Sequence, residues 1–305
     1  MRFNKLDLNQ LVVLDALFST RSVGLAAKQL FLSQPATSCA LGRLREYFKD
    51  ELLVPAGKTY VLTPLATELL KPVREVLLQI QTITETSPSF DPTTSTRRFT
   101  IESSDYVISI FLSKVVQQAE KLAPLMEFDL RVISPQSQEH LDEGNVDLLI
   151  APEFSVHGHP SEPLFEDTFS CIMCIDHPIK DATISLDQYF ELSHVGVEWG
   201  GGQRVTFDAR IISIGKRSRR QDVIAPSFML VPELVINSLR IATLPTRLAQ
   251  QIARRFPIRV LPCPLDLPTF VEQVQWHKHR ETDPAVVWLR TLMRETTRSL
   301  PAIKT

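Results

Sequence analysis

The sequence predicts an α/β protein in three parts: a small head built on a winged helix-turn-helix, a long linking helix, and a larger body of two α/β lobes. Three observations carry this prediction. Two short helix-forming stretches separated by a tight turn occupy Ser22 to Phe48. Apolar residues then recur at close to a 3.5-residue spacing from Leu65 to Ile83, on a stretch opened by Thr63 and Pro64. From Arg97 onward, short β-rich runs alternate with amphipathic helical runs, and the alternation occurs twice.

The head opens with an amphipathic helix over Leu6 to Ser19, whose Leu8, Leu11, Val12 and Phe18 offer a core stripe. The next helix, Val23 to Leu30, presents Val23, Ala26, Ala27 and Leu30 to that core and leaves Lys28 and Gln29 wet. The chain turns at Phe31-Leu32. Ser33 is suited to cap the following helix, because its hydroxyl accepts from an orphan backbone N–H, and Pro35 falls in the first turn, where a missing donor costs nothing. On this third helix Ala36, Ala40, Leu41, Leu44 and Phe48 form the apolar face, with Gln34, Thr37, Ser38 and Arg45 on or near the other side. Two extended segments, Leu52 to Val54 and Tyr60 to Leu62, flank a Pro55-Ala56-Gly57-Lys58 turn and read as a hairpin wing with Lys58 at its tip.

The linking helix is expected to run from Pro64 to about Thr84, with Leu65, Leu69, Val73, Val76, Leu77, Ile80 and Ile83 on one stripe and an interruption at Pro72. Such a stripe either meets a second copy or packs on its own domain. The Ser/Thr/Pro-rich run Thr86 to Arg97 reads as a hinge. In the body, strands are expected at 99–101, 126–133 and 146–151 with helices at 105–122 and 138–144 between them. A second series has strands at 170–175, 194–197, 221–225 and 240–243 and helices near 186–190, 203–214 and 228–238. The segment 261–274 returns to the first lobe, and a helix at 284–298 closes it. Strands alternating with helices predict parallel or mostly parallel sheets. The boundaries are therefore 1–63 for the head, 64–92 for linking helix and hinge, and 93–305 for the body, with lobe I at about 95–167 and 271–305 and lobe II at about 168–270.

A small polar helix face next to a tight turn can enter the major groove of DNA. Gln34 and Ser38 are the candidate base-edge contacts, Arg43, Arg45 and Lys58 the candidate phosphate contacts, and Ser33, Pro35 and Thr37 complete the candidate DNA-binding set. An ordinary amphipathic helix pair has the same spacing. The chain of 305 residues has a formal charge of 33 − 35 = −2, so bulk charge does not mark a polyanion binder. From Met1 to Leu62, however, eight Lys or Arg stand against five acids. No apolar run reaches the roughly 18 to 20 residues of a membrane span, and the N-terminus has no signal-peptide pattern, so a cytoplasmic protein without membrane contact is expected. Cys39, Cys171, Cys174 and Cys263 are too few and scattered for a disulfide framework and are expected to be reduced.

The residues AAKQLFLSQPATSCALGRLREYFKDELL, followed by LTPLATEL, resemble the N-terminal signature of LysR-type transcriptional regulators. The opening MRFNKLDLNQLVVLDAL, together with RIATLPTRLA and VQWHKHRETDPAVVWLR, resembles the branch of that family containing NodD and NahR. The resemblance spans the chain. It implies a winged helix-turn-helix, a dimerising linker helix and a periplasmic-binding-protein-like effector domain. It further implies homodimers assembling into a homotetramer on an interrupted palindrome of double-stranded DNA, activation with RNA polymerase as a partner, and no cofactor. One departure stands out: many relatives carry an Arg soon after the leucine or phenylalanine pair, where Pro55 follows Val54 here.

In open α/β sheets small molecules bind beyond the carboxyl ends of strands, which in a two-lobed body means the cleft between lobes. Candidates at such positions are Ser103, Ser104, Asp105 and Tyr106 after the first strand, Phe154 after the third, and His194 and Trp199 flanking Val195-Gly196-Val197. Ser227 and Phe228 open a later helix, Thr246 follows Pro245 and precedes Arg247, and Phe270 lies on the return crossover. By resemblance to the NodD and NahR branch these positions line an effector cleft. Aromatic and hydroxyl side chains together suit a small phenolic effector, whether halogenated, salicylate-like or flavonoid-like.

Other patterns carry less. Cys171-Ile-Met-Cys174 has C-x-x-C spacing but lies in an expected strand that would turn the two thiols to opposite faces. His157-Gly-His159 and His277-Lys-His279 lack further ligands to complete a metal site, Gly200-Gly-Gly202 is not a dinucleotide fingerprint, and Lys216-Arg-Ser-Arg-Arg220 reads as a solvated loop. No nucleophile, base and orienting acid stand out at catalytic spacing. The leading reading is a ligand-responsive DNA-binding regulator that is not an enzyme. The rival is a cytoplasmic small-molecule-binding protein or enzyme with a helical appendage.

Overall fold

The computed structural model describes residues 2–3, 6–57, 59–85, 90–155, 158–199, 203–204 and 218–303. They form two compact units, Met1–Ser87 and Pro88–Thr305.

In the first unit a short antiparallel ribbon, β1 (Arg2–Phe3) with β2 (Leu6–Asp7), precedes helices Asn9–Thr20, Val23–Gln29 and Gln34–Phe48. The caps follow the expectation: Ser22 accepts from the Leu25 amide and Ser33 from the Ala36 amide. Between the second and third helices Phe31 adopts a left-handed φ of 55°. Leu14, Leu17, Ala26, Ala40, Leu41 and Leu44 make the shared core, to which Leu52, Leu53 and Ala66 add. The wing pairs β3 (Leu53–Ala56) with β4 (Thr59–Leu62), so Pro55 and Ala56 belong to the strand rather than to the turn. Proline is tolerated because both strands of a two-stranded ribbon are edges. Gly57 supplies the left-handed φ of 65° that the turn requires.

The fourth helix, Pro64–Glu85, is continuous through Pro72. The expected interruption is absent. Thr63 caps it by accepting from the Ala66 amide and also donates to Asp50, which receives the Leu52 amide, so wing and helix start are tied together. Arg74 then pairs with Asp15 at 2.9 Å and donates to Ser19, fastening this helix to the first.

In the second unit, lobe I is a five-stranded sheet in the order β6–β5–β7–β15–β8. Here β5 is Arg98–Ser103, β6 Glu127–Val132, β7 Leu148–Pro152, β8 Ser161–Asp167 and β15 Phe270–Trp276. The first three are mutually parallel, while β15 runs antiparallel to both β7 and β8. Helical residues Asp105–Leu122, with a π-turn at Ile108–Leu112, and helix Pro284–Thr297 pack together in this lobe. Arg97 pairs with Asp283 at 2.6 Å and with Asp147, which also pairs with Arg280, so β5, β7 and the cap of the last helix share one buried ion network.

Lobe II holds β9 (Phe169–Cys174), β10 (Ser193–Trp199), β11 (Gln203–Arg204), β12 (Arg220–Ala225), β13 (Ile241–Pro245) and β14 (Ile258–Pro262). Strand β10 is parallel to β12 and β13, whereas β9 is antiparallel to β13 and β14. Both sheets are therefore mixed. Of the strands that the sequence does not announce, β8 and β14 lie at sheet edges and contain Pro163 and Pro262, which disguise strand character and which an edge tolerates, while β15 lies inside its sheet within the segment expected only as a return crossover. Gln203 and Arg204 form a strand, and the rest of the helix expected at 203–214 lies outside the described residues. The helix expected at 228–238 is shorter, a 3-10 turn at Phe228–Leu230 followed by Val231–Val235. Among the described residues no helix is long and apolar enough to cross a membrane.

Candidate functional site

Two places concentrate the candidate residues, one in each unit. In the head, Ser33, Gln34, Pro35 and Ser38 are exposed at the start of the third helix, and Arg43 is exposed on its later turns. Thr37 departs from expectation. Its side chain is fully buried and its hydroxyl donates to the Ser33 carbonyl at 3.2 Å, while Ala36 is exposed. The phase of the helix places Thr37 with Ala40, Leu41 and Leu44 on the inner face, so it fixes the helix start and is not a base contact. The outward stripe at i, i+3, i+4 and i+7 is instead Pro35, Ser38, Cys39 and Gly42. A Cβ on Gly42 would meet nothing within 4 Å, so the backbone there is open to close approach.

Arg45 is likewise committed within the protein. It donates to the carbonyls of Glu51 and Leu53, both at 2.8 Å, and pairs with the Glu51 carboxylate, so it braces the helix against the wing. Lys58 lies outside the described residues.

In the second unit the carboxyl ends of β5 and β12 meet. Ser104 caps the helical residues that follow β5 by accepting from the Val107 amide, and Ser227 caps the turn after β12 by accepting from the Met229 amide. Between them, Asp105 Oδ2 accepts from the Ser227 hydroxyl at 2.6 Å and from the Met229 amide at 3.0 Å. Tyr106 and Phe228 sit edge to face, with ring centroids 6.4 Å apart. Ser104, Asp105, Tyr106, Ser227 and Phe228 are thus brought together from both lobes.

Deeper, the Tyr106 hydroxyl donates to Asp167 Oδ2 at 2.5 Å, and Asp167 also accepts from the amides of Thr168 and Arg247. Asp167 ends β8 at the crossover into lobe II, and Thr246 joins there through hydroxyl contacts of 2.8 Å with Thr168 and Ser170. Phe270, at the second crossover, stacks on Phe169 with centroids 4.9 Å apart. Burial raises the Asp167 carboxyl above its ordinary range, and burial together with Asp167 raises the Tyr106 phenol.

The remaining candidates divide. Ser103 is fully buried and donates to the Ile150 carbonyl, so it ties β5 to β7 and offers nothing to a ligand. His194 is buried near the amino end of β10, beside the first residue of β13, away from the carboxyl end where Trp199 lies. Its Nε2 is 2.6 Å from the Tyr189 carbonyl, and burial and the nearby Arg219 charge push it down to about 4, so it is a neutral core histidine. Phe154 lies in the turn Glu153–Ser155 after β7. The side chains of Phe154 and Trp199 are outside the described residues. Asp167, Thr168 and Glu272 have no local sequence signal, because they lie at or next to the crossovers, where neither β8 nor β15 is announced as a strand.

The C-x-x-C pair lies on β9 with both thiols buried and free, and the Cys171 sulfur lies 3.9 Å from the Thr243 hydroxyl. Among the described residues no group of three or more His, Cys, Asp or Glu could hold a metal ion.

The helix-turn-helix head matches the family model described as bacterial regulatory helix-turn-helix protein, lysR family, over residues 8–67. The body matches LysR substrate binding domain over residues 93–298. The chain belongs to the LysR family. Nodulation protein D 3 of Mesorhizobium japonicum is 40% identical over 294 residues, covering 96% of this chain and 98% of the relative. Nodulation protein D of a Bradyrhizobium strain is 39% identical, covering 97% of this chain and 88% of the relative. A probable transcriptional regulator from Pseudomonas aeruginosa, 27% identical, superposes with a TM-score of 0.64 over 99% of both chains. Full-length OxyR from the same species reaches 0.74 at 18% identity over 98% of this chain and 99% of its own, a likeness of fold. This LysR-family member thus has the two functional modules of a transcriptional regulator, and its relatives are regulators rather than enzymes.

Proposed function

We propose that this LysR-family regulator is a cytoplasmic transcriptional activator that responds to a small aromatic effector held between the two lobes of its second unit. The observation carrying this reading is the convergence of Ser104, Asp105 and Tyr106 from lobe I with Ser227 and Phe228 from lobe II. Hydroxyl and aromatic groups from both lobes meet there, and the paired rings of Phe169 and Phe270 lie at the crossovers beneath, an arrangement suited to a flat phenolic, halogenated or flavonoid-like molecule. An effector can act only if it binds two lobe arrangements unequally, and the Asp105–Ser227 contact is the bond that such an arrangement would make or break.

In this reading the head at 1–63 binds an interrupted palindrome through Ser33, Gln34, Pro35, Ser38 and Arg43, with the wing, including Lys58, against the backbone. The helix within 64–92 pairs two copies, two dimers form a tetramer, and RNA polymerase is the further partner. Residues 93–305 bind the effector. The test is retardation of promoter DNA by the full-length protein with and without a panel of phenols, flavonoids and aryl acids. The expected result is specific retardation that one aromatic class alters, and that deletion of the first 90 residues abolishes. Specific retardation indifferent to every aromatic would refute the effector assignment.

A further inference from the structure

The floor of the contact between lobes holds a buried acid that the network around it does not use. Strands β8 and β15 pair antiparallel with Phe270 opposite Asp167 and Glu272 opposite Phe165, which places all four side chains on one face. Phe111, from the π-turn after Tyr106, packs on Phe165 with centroids 5.3 Å apart, so this face lies beneath the helical segment that Asp105 opens. Glu272 also pairs with Pro152, the last residue of β7, and so sits at the carboxyl end of the parallel strands.

Asp167 is saturated by Tyr106, Thr168 and the Arg247 amide. Glu272 is different. It is 2% exposed, and its Oε2 is buried with no hydrogen-bond partner among the described residues. A buried carboxyl oxygen left without a partner costs free energy that a bound donor or acceptor would recover. The charged and titratable groups facing it are Asp167 and Tyr106. Arg247, whose guanidinium lies over the ring of Phe165 opposite Glu272, gives its donors to the carbonyls of Glu166 and Pro301.

We propose that Glu272 is a receptor for a hydroxyl group of the effector, and that this subsite selects neutral hydroxyl-bearing aromatics over aryl carboxylates. The proposal rests on the reading of the cleft as an effector site and names the ligand class for it. An aryl carboxylate placed here would face Asp167, and the Arg247 guanidinium, 5.9 Å from the centre of the Phe165 ring, is already held by the Glu166 and Pro301 carbonyls, so the desolvation of the carboxylate would be only partly compensated. A phenol instead supplies one donor and one acceptor to the Glu272 carboxyl, and its ring can lie against Phe270 and Phe169. Burial and the facing Asp167 push Glu272 up to about 8, so near neutrality it carries a proton and can both give and receive a hydrogen bond.

The experiment is calorimetric titration of the full-length protein, with promoter retardation confirming the fold of each variant. The probes are 4′,5,7-trihydroxyflavanone, its fully O-methylated ether, and salicylate. The parent is expected to bind the hydroxylated flavanone about tenfold or more tightly than the ether, the worth of one buried hydrogen bond, and to show no saturable salicylate binding. Glu272→Leu should erase the preference for the hydroxylated probe. Glu272→Gln should keep it, yet lose the fall in affinity above pH 8, a comparison between proteins in which ionisation of the probe itself cancels. Equal binding of flavanone and ether by the parent, or a preference that survives in Glu272→Leu, overturns the proposal while leaving the aromatic effector standing. Saturable salicylate binding tighter than flavanone binding overturns it in favour of an aryl-acid site. A folded, DNA-binding protein that binds none of the three overturns both the proposal and the reading beneath it.

Discussion

Asp105 and Ser227, 122 positions apart in the chain, are joined by a 2.6 Å hydrogen bond that spans the two lobes of the second unit. The same carboxylate oxygen takes the Met229 amide at 3.0 Å, so one acid from lobe I closes the start of a turn in lobe II. A charge-assisted bond of this kind is worth about 1.5–3 kcal/mol when its surroundings are partly buried. Asp105→Ala and Ser227→Ala should each lower stability, and the double variant should lose less than their sum by about 1 kcal/mol or more. Urea unfolding of the four proteins measures that coupling. Strict additivity would show that the contact carries no energy.

Glu272 sets a pH dependence of stability with a definite sign. Its carboxyl is raised from 4.5 in the unfolded chain to about 8 in the folded one, so the folded state prefers the proton. The contribution is complete below about 4.5 and is lost as pH rises through about 8, at roughly 1.4 kcal/mol per pH unit in between. Glu272→Gln should therefore become more stable relative to the parent as pH is raised from 5 to 8. Urea midpoints at pH 5, 6.5 and 8 check this, and a constant difference across the range would contradict it.

Two histidines act in the opposite sense. Burial and the Arg219 charge push His194 down to about 4, while burial pushes His277 to about 4 with help from His159, His279, Lys278 and Arg280 around it. Both are neutral in the fold and protonate in the unfolded chain below about 6.5, so the stability they confer is present above 6.5 and is lost as pH falls toward 4. His277→Asn and His194→Asn should each flatten the acid limb of the stability profile. Together with Glu272, the pair places the optimum of these three groups near pH 6.5. Unchanged acid limbs in both variants would show that neither ring titrates as placed.

Gly42 lies on the outward stripe of the third helix with open space around it. Alanine there should stabilise the head by about 1 kcal/mol through helix propensity alone. If the backbone at this position approaches a DNA groove, the same substitution should weaken specific DNA binding several-fold. Denaturation and retardation of Gly42→Ala measure the two effects separately. A gain in stability with undiminished affinity would place this face away from the groove.

The head was legible almost residue by residue, because caps and helical periodicity are local: Ser33, Pro35 and the Ala40, Leu41, Leu44 face all appear where spacing puts them. The failures are of phase and commitment. Thr37 turned inward because one step around a helix moves a side chain by more than a quarter turn, and Arg45 found carbonyl partners in the wing that no local pattern announces. In the body the parallel strands could be read from their continuous apolar runs, as in β7, but the antiparallel strands β8 and β14 are proline-bearing edges whose pairing is set by chain segments far away. The loss of β8 carried Asp167 with it, and Glu272 was lost with β15, which lies inside its sheet but falls in a segment that reads only as a return to the first lobe. Five candidates, Ser104, Asp105, Tyr106, Ser227 and Phe228, do converge, since a strand's carboxyl end is a local property. His194 does not, because it lies near the amino end of its strand, whereas the convergence forms at carboxyl ends.

The most direct test of the whole account is calorimetric titration of the full-length protein with hydroxylated flavonoids and simple phenols, in the parent and in Asp105→Ala, with promoter retardation recorded alongside. The expected result is saturable binding of one aromatic class, a changed retardation pattern on binding, and at least about a tenfold shift in affinity when Asp105 is removed from the contact between lobes. Binding unaffected by Asp105→Ala, or specific DNA retardation that no aromatic alters, would contradict it.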